Sequence, residues 1–206
     1  MEVDTEPMGE MDWRNFEQDS LPPLLRCAVK TFVAHGYHGT STRTLARAAG
    51  LSLPGLYYHF ASKHAIIVAI MDLAMDDLWR RSLAAHAEAG DDVVLQLGLH
   101  IQCLALFHAH RRELAFLAST ELRSLEPEAQ ARSIAARDRQ EYLLIDILRL
   151  GATRGAFDVA DASQLARALI TMCTGISQWF STAGPLSPGS IANDYVRYAQ
   201  RLVGLV

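Results

Sequence analysis

GYHGTSTRTLARAAGLSLPGLYYHFASK, residues 36–63, is the stretch of this chain that decides its fold. Thr40 or Ser41 offers a hydroxyl cap for a short helix that runs to about residue 49. Residues 50–52 form a tight Gly-Leu-Ser turn, and a second short helix begins at Leu53 and ends near residue 60. Two short helices joined by a glycine turn predict a helix-turn-helix.

The side chains of this segment suit contact with DNA. Hydroxyl groups at residues 40–42 open the first short helix, where they and the free N–H groups can meet a phosphate. Arg43 follows them and can reach a guanine edge or a phosphate. The second helix leads with residues 53–55, which would lie closest to the bases, and residues 57–59 add aromatic rings and hydroxyls.

Charge is distributed unevenly along the chain. The net charge of −4 alone argues against nucleic-acid binding. Residues 1–20, however, hold seven acids and one base, whereas residues 21–71 hold five bases and no acid. A phosphate surface attracts such a segment and repels carboxylates. The alternative is that one short window lacks acids by chance.

The segment resembles the DNA-binding region of the TetR family of repressors. The resemblance rests on YYHFASK at 57–63 and on TSTRTLARAAGLS at 40–52, which match in residue type and spacing. It implies that one set of residues faces the major groove and that two residues face phosphates. The major-groove set is Thr42, Arg43, Leu53, Pro54, Gly55, Tyr57 and His59, and the phosphate set is Tyr58 and Lys63.

The first residues of the second helix carry few hydrogen-bond donors that could contact base edges. Because residues 53–55 are Leu-Pro-Gly, specificity is expected to rest on Arg43, His59, contact with thymine methyl groups and DNA shape. Tyr57 has a second interpretation, as a core residue of the small domain. The residues predicted to form that core are Leu45, Leu56 and Phe60.

The whole chain is predicted to be all-α, with about nine helices and no β-strand. Residues 1–19 show no sustained period and are predicted to be a flexible acidic tail, 20–64 a helix-turn-helix domain, and 65–206 a ligand-binding and dimerisation domain. The helices that follow the helix-turn-helix are predicted over about 63–86, 92–109, 114–122, 127–154, 161–183 and 188–204. The helix from residue 92 is apolar on every side and is expected to be central.

The resemblance implies that helices over about 65–155 enclose a pocket for a small effector. Residues 121–157 and 179–180 look like those of family members that respond to acyl-CoA thioesters. The predicted ligand-binding residues are Leu99, Cys103, Phe107, Phe116, Leu117, Arg123, Leu144 and Trp179. Further cations that could meet the CoA phosphates are Arg80, Arg81, Arg111, Arg112 and Arg137. The alternative for each is an ordinary core residue or a solvated arginine.

The last two helices are expected, by the same resemblance, to pair with a second copy as a four-helix bundle. The predicted interface residues are Leu169, Met172, Ile176, Tyr195, Tyr198 and Leu202. The alternative is that these apolar stripes face only the chain's own core. A twofold homodimer places two recognition helices about one DNA turn apart, which predicts an inverted-repeat operator.

Other function classes find little support in the sequence. The only tempting metal ligands, His100, His108, His110 and Glu113, lack a matching second set, and no cofactor is expected. The motifs GxGxxG, GxSxG and the P-loop are missing, so no enzyme is expected. Two alternatives stay open: a protein of this fold that has lost DNA recognition, and a repressor that responds to an aromatic compound or drug. Three separated cysteines and no unbroken membrane-length apolar run favour the cytoplasm.

Overall fold

The computed structural model describes residues 11–17 and 21–205, and within these ranges the regular secondary structure is entirely helical, with no β-strand. A single 3-10 turn, Glu121–Ser124, lies between the sixth and seventh helices. The nine helices of this described part are α1 (Pro23–His35), α2 (Thr42–Ala48), α3 (Leu53–His59), α4 (Lys63–Ala89), α5 (Val93–His110), α6 (Arg112–Thr120), α7 (Pro127–Thr153), α8 (Ala162–Trp179) and α9 (Pro188–Leu202). The predicted fold class and helix number are confirmed.

Serine caps set the starts of three successive helices. The hydroxyl oxygens of Ser41, Ser52 and Ser62 accept hydrogen bonds from backbone N–H groups three residues further on, at 3.0–3.1 Å. Ser41, rather than Thr40, therefore caps α2. Gly36 ends α1 with a φ of 71°, which a residue with a side chain rarely adopts.

The helices pack around two hydrophobic cores that share α4. The smaller core joins α1, α2, α3 and the first half of α4 to the inner faces of α6 and the start of α7. The larger core joins the second half of α4 to α5, α7, α8 and α9. Because α4 contributes to both cores, it connects the small N-terminal unit to the larger helical unit.

Helix α5 is the central helix of the larger unit, as predicted. Fourteen of its eighteen residues are buried. By length and composition alone α5 could cross a membrane, but 78% of this span is buried inside the protein. Its apolar circumference thus serves the core, because α4, α8 and α9 surround it.

Residues 11–17 pack against the larger unit, so the prediction of a flexible tail over 1–19 is wrong for this part. The Trp13 side chain is 2% exposed, and its indole N–H donates to Glu88 at 2.7 Å. Arg14 donates to both carboxylate oxygens of Glu88, at 2.6 and 2.9 Å. The rest of the predicted tail, 1–10 and 18–19, lies outside the described residues.

A second contact holds the same segment to the ends of α4 and α5. The Phe16 ring stacks on His110 with centroids 4.5 Å apart, and the Arg81 guanidinium lies 3.9 Å from the centroid of the Phe16 ring. Arg81 also donates to the carbonyl oxygens of Trp13 and Asn15, at 2.8 Å each. Trp13 and Phe16 thus bury two aromatic rings. The free energy gained by removing these rings from water holds the segment in place, although the acidic residues around them are well hydrated.

Helix α8 ends earlier than the sequence predicts. Its last residue is Trp179, and Phe180 adopts an extended backbone with ψ of 140° that places its ring, 2% exposed, in the larger core. Residues 181–187 then run exposed to the start of α9. Burial of Phe180 therefore ends the helix before Gly184 is reached.

Candidate nucleic-acid interface and effector cavity

The start of α2 and the outer side of α3 form one exposed surface, called here the α2–α3 face. Tyr58 is 86% exposed and Tyr57 is 46% exposed. The Tyr57 hydroxyl donates to Thr42 Oγ1 at 3.4 Å, which joins α3 to the start of α2. Tyr57 is therefore a surface residue, and its interpretation as a core residue is wrong.

The other residues predicted to contact DNA surround these tyrosines. Arg43, Pro54 and His59 are exposed, and Leu53 and Gly55 are half-buried. Leu45 and Leu56, on the inner sides of α2 and α3, are 2% and 1% exposed. The two helices are thus held by their apolar sides while their polar sides remain open. The α2–α3 face presents only neutral and basic side chains, because residues 21–71 contain no acid.

Lys63, at the start of α4, is half-buried and bonded within the chain. Its ammonium donates to the carbonyl oxygens of Tyr37 and Thr40, at 2.8 and 2.9 Å, and lies 4.2 Å from the Tyr37 ring centroid. Two of its three donors are therefore bonded within the chain. The lysine therefore ties the loop after α1 to the start of α4, and a phosphate contact through its third donor stays a prediction.

A cavity of about 260 Å³ opens between α4, α5, α6, α7 and α8. Its lining combines an apolar wall with a cluster of polar side chains. The apolar part is Ala74, Met75, Leu78, Leu104, Phe107, Ala115, Ala118 and Ile170. The polar part is His108, Ser119, Arg137, Gln140, Glu141, Arg167, Thr171 and Thr174. Helix α8 takes part, so the pocket extends beyond the predicted 65–155.

Of the eight predicted ligand-binding residues, Phe107 lines this cavity. Cys103 and Leu144 are fully buried in the larger core, and Leu117 is buried in the smaller one. Leu99 lies in the first half of α5, beside α9, and Arg123 is exposed in the 3-10 turn. Phe116 is half-buried outside the lining, and Trp179 is 50% exposed on the surface. These seven residues therefore do not line this cavity.

Among the predicted phosphate-binding arginines, Arg137 lines the cavity. Arg81 and Arg111 instead face the buried carboxylate of Asp77, at 2.9 and 3.7 Å, and hold residues 13–16. Arg80 pairs with Asp76 at 3.0 Å on the exposed side of α4. The pairs of Arg80 and Arg81 are i, i+4 pairs that the sequence spacing could have indicated, whereas the approach of Arg111 to Asp77 depends on the packing of α5 against α4.

Gln140 and His108 are cavity residues that the sequence analysis did not predict to bind an effector. Gln140 is 4% exposed, and neither its amide nitrogen nor its carbonyl oxygen has a partner within the described part of the chain. His108 Nδ1 lies 2.7 Å from the Leu104 carbonyl, which can only accept, so Nδ1 carries the proton of the neutral ring. Burial lowers the pKa of His108 to about 4, so the ring is neutral at pH 7.

The outer sides of α8 and α9 carry large exposed apolar side chains. Tyr198 is 44% exposed, Leu202 is 53% exposed and Trp179 is 50% exposed. Leu169 and Ile176, by contrast, are fully buried in the larger core, so their predicted interface role is wrong. They lie on the inner side of α8, which packs on α5.

Comparison with known proteins gives the family. Residues 24–70 match the model described as bacterial regulatory proteins, tetR family. Residues 90–203, more than half of the chain, match the model described as tetracyclin repressor-like, C-terminal domain. The chain belongs to the TetR family. The chain is therefore a DNA-binding transcriptional regulator. Helices α2 and α3 lie within the part that matches the tetR-family model, and the larger unit matches the C-terminal domain of that family.

Individual TetR-family proteins resemble most of the chain. The HTH-type transcriptional repressor KstR2 of Mycolicibacterium smegmatis is 27% identical over 177 residues, which are 84% of this chain and 85% of that protein. The structure of PfmR from Thermus thermophilus is 33% identical with a TM-score of 0.78, over 86% of this chain and 97% of that one. AibR, solved with isovaleryl coenzyme A and operator DNA, has the same fold at 23% identity, with a TM-score of 0.77 over 87% of this chain and 96% of that one.

Proposed function

We propose that the chain is a cytoplasmic repressor that binds an inverted-repeat operator as a homodimer and releases it when a small effector enters the cavity. The observation that carries this proposal is the position of α4 and α6 between the two units. Helix α4 begins directly after α3, and its residues Ala74, Met75 and Leu78 line the cavity. A change in the cavity therefore acts on the helix that carries the DNA-binding unit.

Helix α6 provides a second connection. On one side, Leu114 and Leu117 pack in the smaller core with α1. On the other side, Ala115 and Ala118 line the cavity. An effector that shifts α6 by a fraction of a helix turn would move α1 together with α2 and α3, because tightly packed cores transmit such shifts.

Release of the operator needs only a difference in effector affinity between two conformations. An effector that binds the DNA-incompetent conformation better lowers the operator affinity by that difference alone. A coupling of about 1–3 kcal/mol gives a change of roughly 5- to 150-fold. In a homodimer paired through α8 and α9, the same shift changes the separation of two α2–α3 faces, so both half-sites lose register together.

Two effector chemistries are each supported by a separate observation. An acyl-CoA thioester is supported by the resemblance of residues 121–157 and by AibR, whose structure contains isovaleryl coenzyme A. A compact aromatic compound is supported by the cavity itself, whose volume of about 260 Å³ is below the range of about 300–1,000 Å³ typical of drug-sized ligands. Only the acyl part of a thioester fits such a volume, and the nucleotide would lie outside.

Operator release can be measured on DNA from just upstream of the chain's own gene. Footprinting should show two protected half-sites related by a twofold axis, one helical turn apart. Fluorescence anisotropy with isovaleryl-CoA and with an aromatic acid should then show which one lowers operator affinity. A protected site without twofold symmetry would contradict the homodimer, and an unchanged affinity with every effector would contradict induced release.

A protein of this fold without specific DNA recognition is the second candidate. It is favoured by the donor-poor tip of α3, where Leu53, Pro54 and Gly55 offer no side-chain hydrogen-bond donor. Such a protein would bind all DNA fragments equally in a mixed genomic library. A repressor would instead enrich one sequence by a factor of about a thousand or more.

A further inference from the structure

Arg137 is a cation in the cavity wall that lacks a counter-ion. Its guanidinium donates to the Ala118 carbonyl at 2.5 Å, and no carboxylate of the described residues lies within ion-pair distance. Glu141, one turn further along α7, lies 3.5 Å from Arg167 instead. Burial lowers the pKa of Arg137, which means that the site disfavours its charge. An anion from outside the chain would compensate that charge.

Gln140, beside this arginine, is a second polar side chain of the cavity wall whose hydrogen bonds are not satisfied. It follows Arg137 by three positions on α7, so both side chains lie on one side of the helix and line the same cavity. Its amide is 4% exposed and has no partner within the described chain. A buried donor without an acceptor is energetically unfavourable. A ligand that accepts from the Gln140 amide would therefore gain affinity.

The remaining wall defines the body of the ligand. Leu78, Leu104 and Phe107 form an apolar surface without charge. A cavity of about 150 Å³ holds one benzene molecule, so the volume of about 260 Å³ has room for a body of one to two rings. His108 adds no charge at neutral pH, and the charge of Glu141 is offset by Arg167.

We infer that the effector is a compact apolar carboxylic acid whose carboxylate accepts hydrogen bonds from Arg137 and from the Gln140 amide. The inference rests on the proposed function, because it names the ligand class of the same cavity. A thioester carbonyl is uncharged and would leave the guanidinium without a counter-ion. The free acid therefore suits this cluster better than its CoA ester.

Calorimetry on the full chain tests the charge requirement. The probes are 2-naphthoate, its neutral isostere 2-naphthamide, and 2-naphthoyl-CoA. Because a charge-assisted hydrogen bond is stronger than a neutral one, 2-naphthoate should bind at least about tenfold more tightly than the amide. Equal binding of acid and amide, binding of the thioester alone, or no binding of 2-naphthoate at about 1 mM would each overturn the inference.

Single substitutions test whether 2-naphthoate binds at Arg137 and Gln140. Arg137→Met keeps an apolar stem and should abolish the preference for acid over amide, whereas Arg137→Lys should retain part of it. Gln140→Leu should weaken 2-naphthoate binding by a smaller factor. Arg149→Met removes an exposed arginine from the same helix and should change neither affinity. A preference that survives Arg137→Met in a folded protein would place the acid elsewhere and overturn the inference.

Operator binding separates this inference from the proposed function. If 2-naphthoate binds with the expected preference but leaves operator affinity unchanged, the ligand class holds and the release mechanism fails. If a ligand without a negative charge in the cavity releases the operator, the release mechanism holds and the ligand class fails.

Discussion

At the scale of single residues, the buried histidines make stability depend on pH. Burial lowers the pKa of both His100 and His108 from 6.5 to about 4. Between these pH values the unfolded chain binds protons that the folded protein does not, so stability should fall as pH drops from about 7 towards 4. Urea denaturation at pH 7.5 and pH 5 should show this loss, on the order of 2 kcal/mol for each imidazole.

Replacing His100 tests the assignment of this effect. Neither ring nitrogen of His100 has a partner within the described residues. His100→Leu should therefore reduce the loss at pH 5 while leaving stability at pH 7.5 unchanged or higher, since it removes an unsatisfied buried polar group. His59→Leu, at an exposed position, is the control. An undiminished pH dependence in His100→Leu would refute the assignment.

Substitution of Lys63 tests whether this residue has a structural role or contacts DNA. Its ammonium bonds two carbonyl oxygens of the loop after α1, so Lys63→Met should lower the free energy of unfolding by about 1.5–3 kcal/mol. A lost phosphate contact would instead reduce the slope of operator affinity against salt concentration by about one. We expect the first change and an unchanged slope, measured by urea denaturation and by anisotropy titrations.

Sequence could identify surface residues of the helix-turn-helix but not the partners of each polar group. Thr42, Arg43 and the tyrosines of α3 lie on one exposed face because the 3.6-residue period and the serine caps are local properties. The bonds of Lys63 to Tyr37 and Thr40 span 26 and 23 positions, and they depend on how α1 and α4 pack together. Contacts of this kind carry no local pattern.

At the scale of elements, the segment 11–17 should stabilise the protein although it forms no helix. Trp13 is 2% exposed and donates to Glu88, so Trp13→Ala should lower the free energy of unfolding by about 3 kcal/mol. Tyr142→Ala, on the exposed side of α7, should change it little, since Tyr142 is 62% exposed. Equal stabilities of the two variants would show that the segment does not contribute.

The apolar periodicity of the sequence predicts where helices form, but not which side of a helix packs against which neighbouring helix. Every helix of the described chain was predictable from apolar spacing and caps, but α8 presents two apolar sides. Leu169 and Ile176 face α5, whereas Trp179 faces outward, and nothing local distinguishes the two sides. The lining of the cavity could not be predicted for the same reason. Leu117, Leu144 and Phe107 are all large apolar residues of predicted helices, and only the packing of five helices decides which of them lines the cavity.

At the scale of the whole molecule, the exposed apolar side of α9 should join two copies. Leu202→Arg places a charge on this side and should shift the protein towards monomers in sedimentation equilibrium, because a buried unpaired charge is unfavourable. Operator affinity should fall with it, since one half-site is lost. Leu186→Arg, at a position of similar exposure between α8 and α9, is the control. An intact dimer in Leu202→Arg would move the interface elsewhere.

The central claim is that the α2–α3 face binds operator DNA, and Arg43 tests it most directly. Anisotropy titrations of the upstream fragment at two salt concentrations would compare the wild type, Arg43→Ala and Arg149→Ala. We predict affinity that falls steeply with salt. Arg43→Ala should lose about 1–3 kcal/mol of binding free energy, and Arg149→Ala should match the wild type. Equal affinity of Arg43→Ala and the wild type, or no binding of any genomic fragment at low salt, would contradict the claim.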